Sequence, residues 1–371
     1  MWLQTLSLLH FKNYDEANLS FLPGVNAFTG ANGAGKTNLL DAIHYLSLCK
    51  SYFNPVDSQQ IKKGADFFMV QGTFEKDGLQ DVIACSLKKN QKKQFKRNKK
   101  DYQRLADHIG LYPLVMVTPN DSVIITEGSE ERRRFVDNVI SQTDSRYLDD
   151  LITYNKYLQN RNSLLKQQVR DERLVRVYDE LLAGVGNKIF AKRRAFMEVF
   201  VPMFDKHYHF ISDGIENVQL SYESQLLDLP FDQLLQEAWP KDVAMERTTV
   251  GVHKDDLSFL IEGMSMKKFG SQGQQKSFLI ALKLAQYSFL QQSKGYKPLL
   301  LLDDIFDKLD DMRTRKLMQM VSNDDFGQIF LTDTSAKRVE NTFDGIDTEV
   351  RIFDVNKGQV TQLSQHEKNE R

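Results

Sequence analysis

The sequence concentrates its chemistry in GANGAGKT, Gly30 to Thr37. A Gly followed after four residues by Gly-Lys-Thr is the spacing of a P-loop, and a strand pattern before it with a helix pattern after it is the context such a loop requires. Gly30, Ala31, Asn32, Gly33, Ala34 and Gly35 supply backbone amides, and the three glycines let those amides close around phosphate oxygens with no Cβ in the way. The following helix N-terminus adds unpaired N–H groups and positive dipole potential. Lys36 is placed to reach the β- and γ-phosphates as a point charge, and the Thr37 hydroxyl to ligate Mg²⁺.

A second element complements the first. LLLLDD, Leu299 to Asp304, reads as a buried parallel strand that delivers carboxylates at its C-terminal edge. Beside a P-loop this is a Walker B strand. Asp303 is expected to hold Mg²⁺ through water, and Asp304 to orient or deprotonate the attacking water. A third element, FGSQGQQKS, sets Ser271, Gly273 and Gln274 at the start of a clear helix pattern, again a position suited to an anion.

In this chain order the motifs resemble the ATP-binding-cassette ATPases of chromosome maintenance and repair, and among them the RecF family. FGSQGQQKS resembles the cassette signature, where Ser271 and Gly273 would contact the γ-phosphate held by a second subunit. FDKLD, with Asp307 and Asp310, resembles the D-loop. Thr332 and Asp333 end the next strand, where transporter cassettes carry a switch His and this chain has none. LSLLHFKNY at the start, TPNDSVIITEGSEERRRFVDNVI at 118–140 and TTVGVHKDDLSFLIEG before the signature extend the similarity over nearly the whole chain. Val252 stands where the family pattern has Pro, at a position that touches no phosphate. A glutamine sensing the γ-phosphate is expected after Thr118, but Pro119-Asn120-Asp121 stands there.

The resemblance implies an α/β fold: an ABC-type P-loop ATPase head whose lobe I is a mixed sheet around the P-loop helix, with a mainly helical lobe II. Residues 1–115 and 295–371 would form lobe I, and 116–294 lobe II with its arm and signature. It further implies an ATP-sandwiched homodimer that binds duplex and gapped DNA and acts with RecR and RecO to help load RecA. Catalysis would rest on Lys36, Asp304 and Ser271, with ATP and Mg²⁺ as cofactors. Asp304 is one methylene shorter than the Glu of many transporter cassettes. The expectation is therefore a slow DNA-stimulated ATPase, below about 10 turnovers per second.

The elements that must position these residues are legible in outline. Leu3, Leu6 and Leu8 alternate as in a first strand, and a helix is expected from Lys36 to about Leu48. Two strands should meet at a Lys76-Asp77-Gly78 turn. Residues 130–207 carry helical spacing for two or three long helices, a further helix is expected at 277–292, and buried strands at 298–304 and 327–334. Lys12 and Asn13, near the first turn, are candidate adenosine contacts.

Composition excludes other classes. Two cysteines, Cys49 and Cys85, cannot form a disulfide framework or a four-cysteine zinc site, and fit a reducing, cytoplasmic compartment. No apolar run is long enough to span a bilayer, and the N-terminus lacks the features of a signal peptide. Net charge is −1, yet residues 88–100 carry eight positive charges and no negative one. That run reads either as a hairpin edge protected by its lysines or as a phosphate-tracking finger with Lys92, Lys93, Lys96 and Arg97 on DNA. Arg132, Arg133 and Arg134 are expected to split their roles, since one face of their helix must pack and Glu130 and Glu131 stand ready to pair, with DNA contact the lesser reading; Lys192, Arg193 and Arg194 read the same way. The rival reading is a nucleotide-binding subunit of a membrane transporter, which the large helical arm and the missing His disfavour. A P-loop GTPase or kinase would need no signature helix.

Overall fold

A computed structural model describes residues 1–167, 172–305, 311–322 and 325–366. The chain forms two compact units, Met1–Asp121 with Gln286–Arg371, and Ser122–Ala285. The first therefore unites both ends of the sequence. The second border lies inside one continuous helix, Gln272–Lys294, so no turn in the sequence marks it.

In the first unit, six strands form an antiparallel sheet in the order Glu16–Ser20, Trp2–Leu9, Phe67–Lys76, Leu79–Lys88, Gln94–Arg97, Lys100–Asp101. Leu3, Leu6 and Leu8 are buried as their alternation requires. The Asp77-Gly78 turn has positive φ at both residues, +53° and +77°, which suits a two-residue hairpin.

A second sheet of six strands runs Gln359–His366, Val350–Asn356, Val25–Thr29, Ile329–Asp333, Leu299–Leu302, Leu114–Val117. It is parallel except at the Gln359–His366 edge, so it is mixed. VNAFT, IFLTD, LLLL and LVMV are buried at every position, as parallel strands covered on both faces must be. Helix Lys36–Leu48 follows Val25–Thr29 through the P-loop. Its Leu39, Ile43 and Leu46 share one apolar cluster with Leu3 and Phe68 of the antiparallel sheet and Phe28 of the mixed one. The helix is buried all round, which explains its weak amphipathic signal. Lobe I thus holds two sheets, not only the mixed sheet expected around the helix.

In the second unit the expected arm is three helices, Ser129–Thr143, Ser145–Lys166 and Glu172–Ile211. The last two form an antiparallel hairpin, tied by Lys192 to Asp144 at one end and Arg161 to Asp179 nearer the other. A three-stranded sheet, Met264–Ser265, Asp256–Ile261 and Val218–Glu223, completes the unit with helix Phe231–Met245. Among the described residues no helix is long and apolar enough to cross a membrane.

Candidate functional site

The P-loop leaves the fully buried strand Val25–Thr29 and turns at once. Gly30 has φ +143°, and a Cβ there would lie 2.2 Å from the carbonyl oxygen of Val355. Close backbone approach and backbone conformation together exclude any side chain. The far end of the loop is pinned by residues that motif reading did not single out for it. Tyr14 donates its hydroxyl to the Gly35 carbonyl at 2.9 Å, and the Gly358 amide donates to Ala34 at 3.2 Å. Asn13 donates to the Ala34 carbonyl at 3.1 Å and accepts from Asn38 at 2.7 Å, so both ends of its amide serve the loop. Lys12 pairs with buried Asp41 at 2.5 Å. None of these braces has a local sequence signal, because each joins segments far apart in the chain.

Lys36 curls over the loop. Its Nζ donates to the carbonyls of Gly30 at 2.8 Å and Ala31 at 3.1 Å. The Thr37 hydroxyl donates to Asp303 Oδ1 at 2.9 Å. Two residues separated by 266 positions thus meet where the P-loop helix starts and the acidic strand ends. Thr332 donates to the same Asp303 oxygen at 2.9 Å and accepts the Asp304 amide at 2.8 Å. Asp304 holds φ +45°, a left-handed turn straight after the strand. Burial pushes the Asp303 carboxyl above its usual range, against the Thr37 and Thr332 hydrogen bonds, with the Asp304 charge adding to the rise. A divalent cation would offset that cost.

The residues fit a Mg²⁺–triphosphate. Among the described residues no group of three or more His, Cys, Asp or Glu is placed to hold a metal ion. Mg²⁺ bound to phosphates does not need one: it takes one or two protein oxygens and completes its shell with phosphate oxygens and water. Thr37 and Asp303 supply that number.

The flanking positions are also occupied. Asp333 stands near where a switch His was sought. It is buried and accepts three hydrogen bonds from the Arg338 guanidinium, from Nε at 3.1 and 2.8 Å and from Nη2 at 2.8 Å. After Thr118, where the sensing Gln was expected, Asp121 turns back and accepts the Thr118 amide at 2.6 Å. The Tyr52 hydroxyl donates to the same carboxylate. Asp307 and Asp310 lie outside the described residues.

In the second unit, Ser271 and Gln274 form a reciprocal cap on helix Gln272–Lys294. The Ser271 amide donates to Gln274 Oε1 at 2.8 Å, and the Gln274 amide donates to Ser271 Oγ at 3.2 Å. Among the described residues the cap uses Ser271 Oγ only as an acceptor. Gln274 Nε2 donates to Glu216 at 3.0 Å, Gly273 lies in the first helical turn, and Ser271 is exposed.

The basic residues divide. Lys93 pairs with Asp57 at 2.8 Å and donates to the Cys49 carbonyl at 2.6 Å, and Arg97 binds Asp81 through two nitrogens. Lys96 lies 3.8 Å from Asp101. Lys92, Lys99 and Lys100 are exposed, at opposite ends of the short strand Gln94–Arg97. Of the weaker sets, Arg193 is buried between Asp137 and Asp255, Arg132 forks onto Asp256, and Arg133 donates to the Asp255 carbonyl. These three brace the second unit from within, the packing role expected of part of each set. Exposed Arg134 pairs with Glu130 and Glu131.

The model of the RecF/RecN/SMC N-terminal domain family matches residues 2–361. The chain is 49% identical to the DNA replication and repair protein RecF of Phocaeicola vulgatus, over 98% of both chains. It is also 49% identical to the protein of the same name from Flavobacterium johnsoniae, over 96% of this chain and all of that one. Two solved structures of the recombination mediator protein RecF in the RecFOR pathway resemble it over 98% of both chains. The RecF-ATPrS structure has a TM-score of 0.89 at 30% identity, and the RecF-ATP structure 0.88 at 31%. An Smc head domain bound to the winged helix domain of ScpA shares the fold, with a TM-score of 0.60 at 17% identity. With the family model spanning nearly the whole sequence and relatives this close end to end, the chain belongs to the RecF family of DNA replication and repair proteins.

Proposed function

We propose that the chain is an ATP-driven clamp of the RecFOR recombination pathway, closing as a homodimer around ATP and binding DNA. The observation that carries the nucleotide half is the Thr37–Asp303 hydrogen bond, which brings a P-loop hydroxyl and a buried carboxylate to one point. Relatives named as RecF-ATP and RecF-ATPrS, covering 98% of the chain, support ATP as the ligand.

In this reading the loop amides of Gly30 to Thr37 grip the phosphates. Lys36 trades the Gly30 and Ala31 carbonyls for phosphate oxygens. Bound Mg²⁺ would neutralise phosphate charge while held by Thr37 and Asp303. Asp304 orients the attacking water and takes its proton. The site is completed by Ser271, Gly273 and Gln274 of a second copy, so the triphosphate acts as a removable interfacial ligand. Loss of the γ-phosphate biases the clamp open. Hydrolysis is slow and DNA-stimulated, a timer and not a motor. DNA, duplex beside a single-stranded gap, is held partly by the lysine-rich hairpin. RecR and RecO are the partners, and RecA loading is the outcome.

Sedimentation velocity with and without ATP tests this reading. Wild type should associate on adding Mg²⁺–ATP, and Lys36→Ala and Ser271→Arg should stay monomeric. Equal association of all three, with or without nucleotide, would remove the sandwich.

A further inference from the structure

We infer that Thr332 is the positioning residue that sets the two Walker B acids for Mg²⁺–ATP. This rests on the reading of the site as a Mg²⁺–triphosphate site. Strand Ile329–Asp333 pairs in parallel with Leu299–Leu302, with Leu331 opposite Leu302. One step further along the same register sets Thr332 beside Asp303, with both side chains on one face of the sheet.

The hydroxyl does two things at once. It donates its single proton to Asp303 Oδ1 at 2.9 Å, and it accepts the backbone amide of Asp304 at 2.8 Å. The first bond, with the one from Thr37, gathers both hydroxyls on Oδ1, so Oδ2 accepts none from the described residues. That oxygen is the one left for the metal's hydration shell. The second bond fixes the amide of a residue at φ +45°, a left-handed turn that costs any residue with a Cβ more than Gly. Thr332 thereby holds the backbone from which the Asp304 carboxylate projects, and its hydroxyl lies 3.5 Å from Asp304 Oδ1. It is buried, and its neighbour Asp333 is engaged by Arg338, so nothing else on that strand end can take over the task.

Val would keep the shape of Thr332 and lose both bonds, whereas Ser would keep both bonds and lose only a methyl group. The readout is nucleotide binding by titration calorimetry in EDTA and in Mg²⁺, with turnover measured alongside and melting curves for each variant. Thr332→Val should lose about tenfold of the Mg²⁺-dependent gain in ATP affinity, the low end of what loss of a group orienting a metal ligand costs. Its kcat should fall with little change in KM. Thr332→Ser should retain both. A Thr332→Val protein that melts as wild type does and keeps the full Mg²⁺-dependent gain overturns the inference. So does a folded Thr332→Ser that loses it, and this second variant decides the matter if Val does not fold. Lys36→Ala separates the two levels: if wild type shows no Mg²⁺-dependent ATP binding that Lys36→Ala removes, the nucleotide reading fails first.

Discussion

Thr37 and Asp303 share a hydrogen bond of 2.9 Å across 266 residues of sequence. The bond joins the start of the P-loop helix to the end of a strand buried at every position, so neither partner can shift without moving the core. Asp303→Asn should lower Mg²⁺ affinity in the presence of ATP by on the order of a hundredfold, because a ligand charge is lost. Its melting temperature should be equal or higher, since burial disfavours the charged Asp303. Titration of Mg²⁺ into the ATP complex, beside a thermal melt, checks both signs.

Two P-loop glycines separate backbone crowding from backbone conformation. A Cβ on Gly33 would meet nothing within 4 Å, and the cost there is its φ of +79° alone, about 1 kcal/mol for Ala. A Cβ on Gly30 would strike the Val355 carbonyl oxygen at 2.2 Å as well. Gly30→Ala should therefore destabilise by about 3 kcal/mol or more. Urea denaturation of the two variants should rank them in that order, and a reversal would show that the strand Val350–Asn356 yields.

Arg193, like Arg161, is a buried charge of the second unit. Its guanidinium lies between Asp137 and Asp255, with a side-chain exposure of 3%. Arg193→Ala leaves both carboxylates without their cation, keeping the Tyr147 and Tyr222 hydroxyls, and should cost ~3–5 kcal/mol. Arg134→Ala, at an exposed pair, should cost less than about 1 kcal/mol. Chemical denaturation of both variants tests the contrast.

The hairpin lysines should differ in kind. Replacing exposed Lys92, Lys99 and Lys100 with Glu should flatten the salt dependence of DNA binding, by about one unit of slope for each phosphate that a lysine no longer neutralises. Lys93→Glu should instead lower stability, because its ammonium is held by Asp57 and the Cys49 carbonyl. An unchanged salt slope in the triple variant would assign the hairpin to edge protection alone.

Acid should act through buried histidine. Burial pushes His108 down to about 4, against a hydrogen bond from its Nε2 to the Leu46 carbonyl. The unfolded chain takes up this proton near pH 6.5 and the folded chain does so only near 4. The neutral form's contribution is thus complete above pH 6.5 and lost as pH falls through that window, to a total of about 3 kcal/mol. His108→Gln should flatten the stability–pH curve between 6.5 and 4. A curve as steep as that of wild type would place the acid sensitivity elsewhere, with His253 the next residue to test.

The site's backbone was legible because it is local. GANGAGKT between a strand and a helix, and LLLLDD ending in two acids, specify their own conformations. The braces were not, because they act over long sequence separations. Nothing near Tyr14 announces that its hydroxyl will hold Gly35, and nothing near Gly358 announces its bond to Ala34. Thr332 stood out only as a residue where a His was missing, although its hydroxyl contacts both acids' segments. The basic sets were legible only in kind: charge is visible in sequence and a split of roles is expected, but the carboxylates that engage Arg132 and Arg193 lie 124 and 56 to 62 residues away. The antiparallel sheet was read strand by strand, but its separation from the mixed sheet depends on pairings that periodicity does not encode.

Complementation between two defective proteins examines the clamp most directly. Lys36→Ala lacks the P-loop half of a site, and Ser271→Arg lacks the signature half. Each alone should remain monomeric in Mg²⁺–ATP. Mixed, they should form a heterodimer with one intact site, seen as partial, ATP-dependent association with some hydrolysis restored. If the mixture stays monomeric while wild type dimerises, or if either variant dimerises alone as wild type does, two copies do not share the triphosphate.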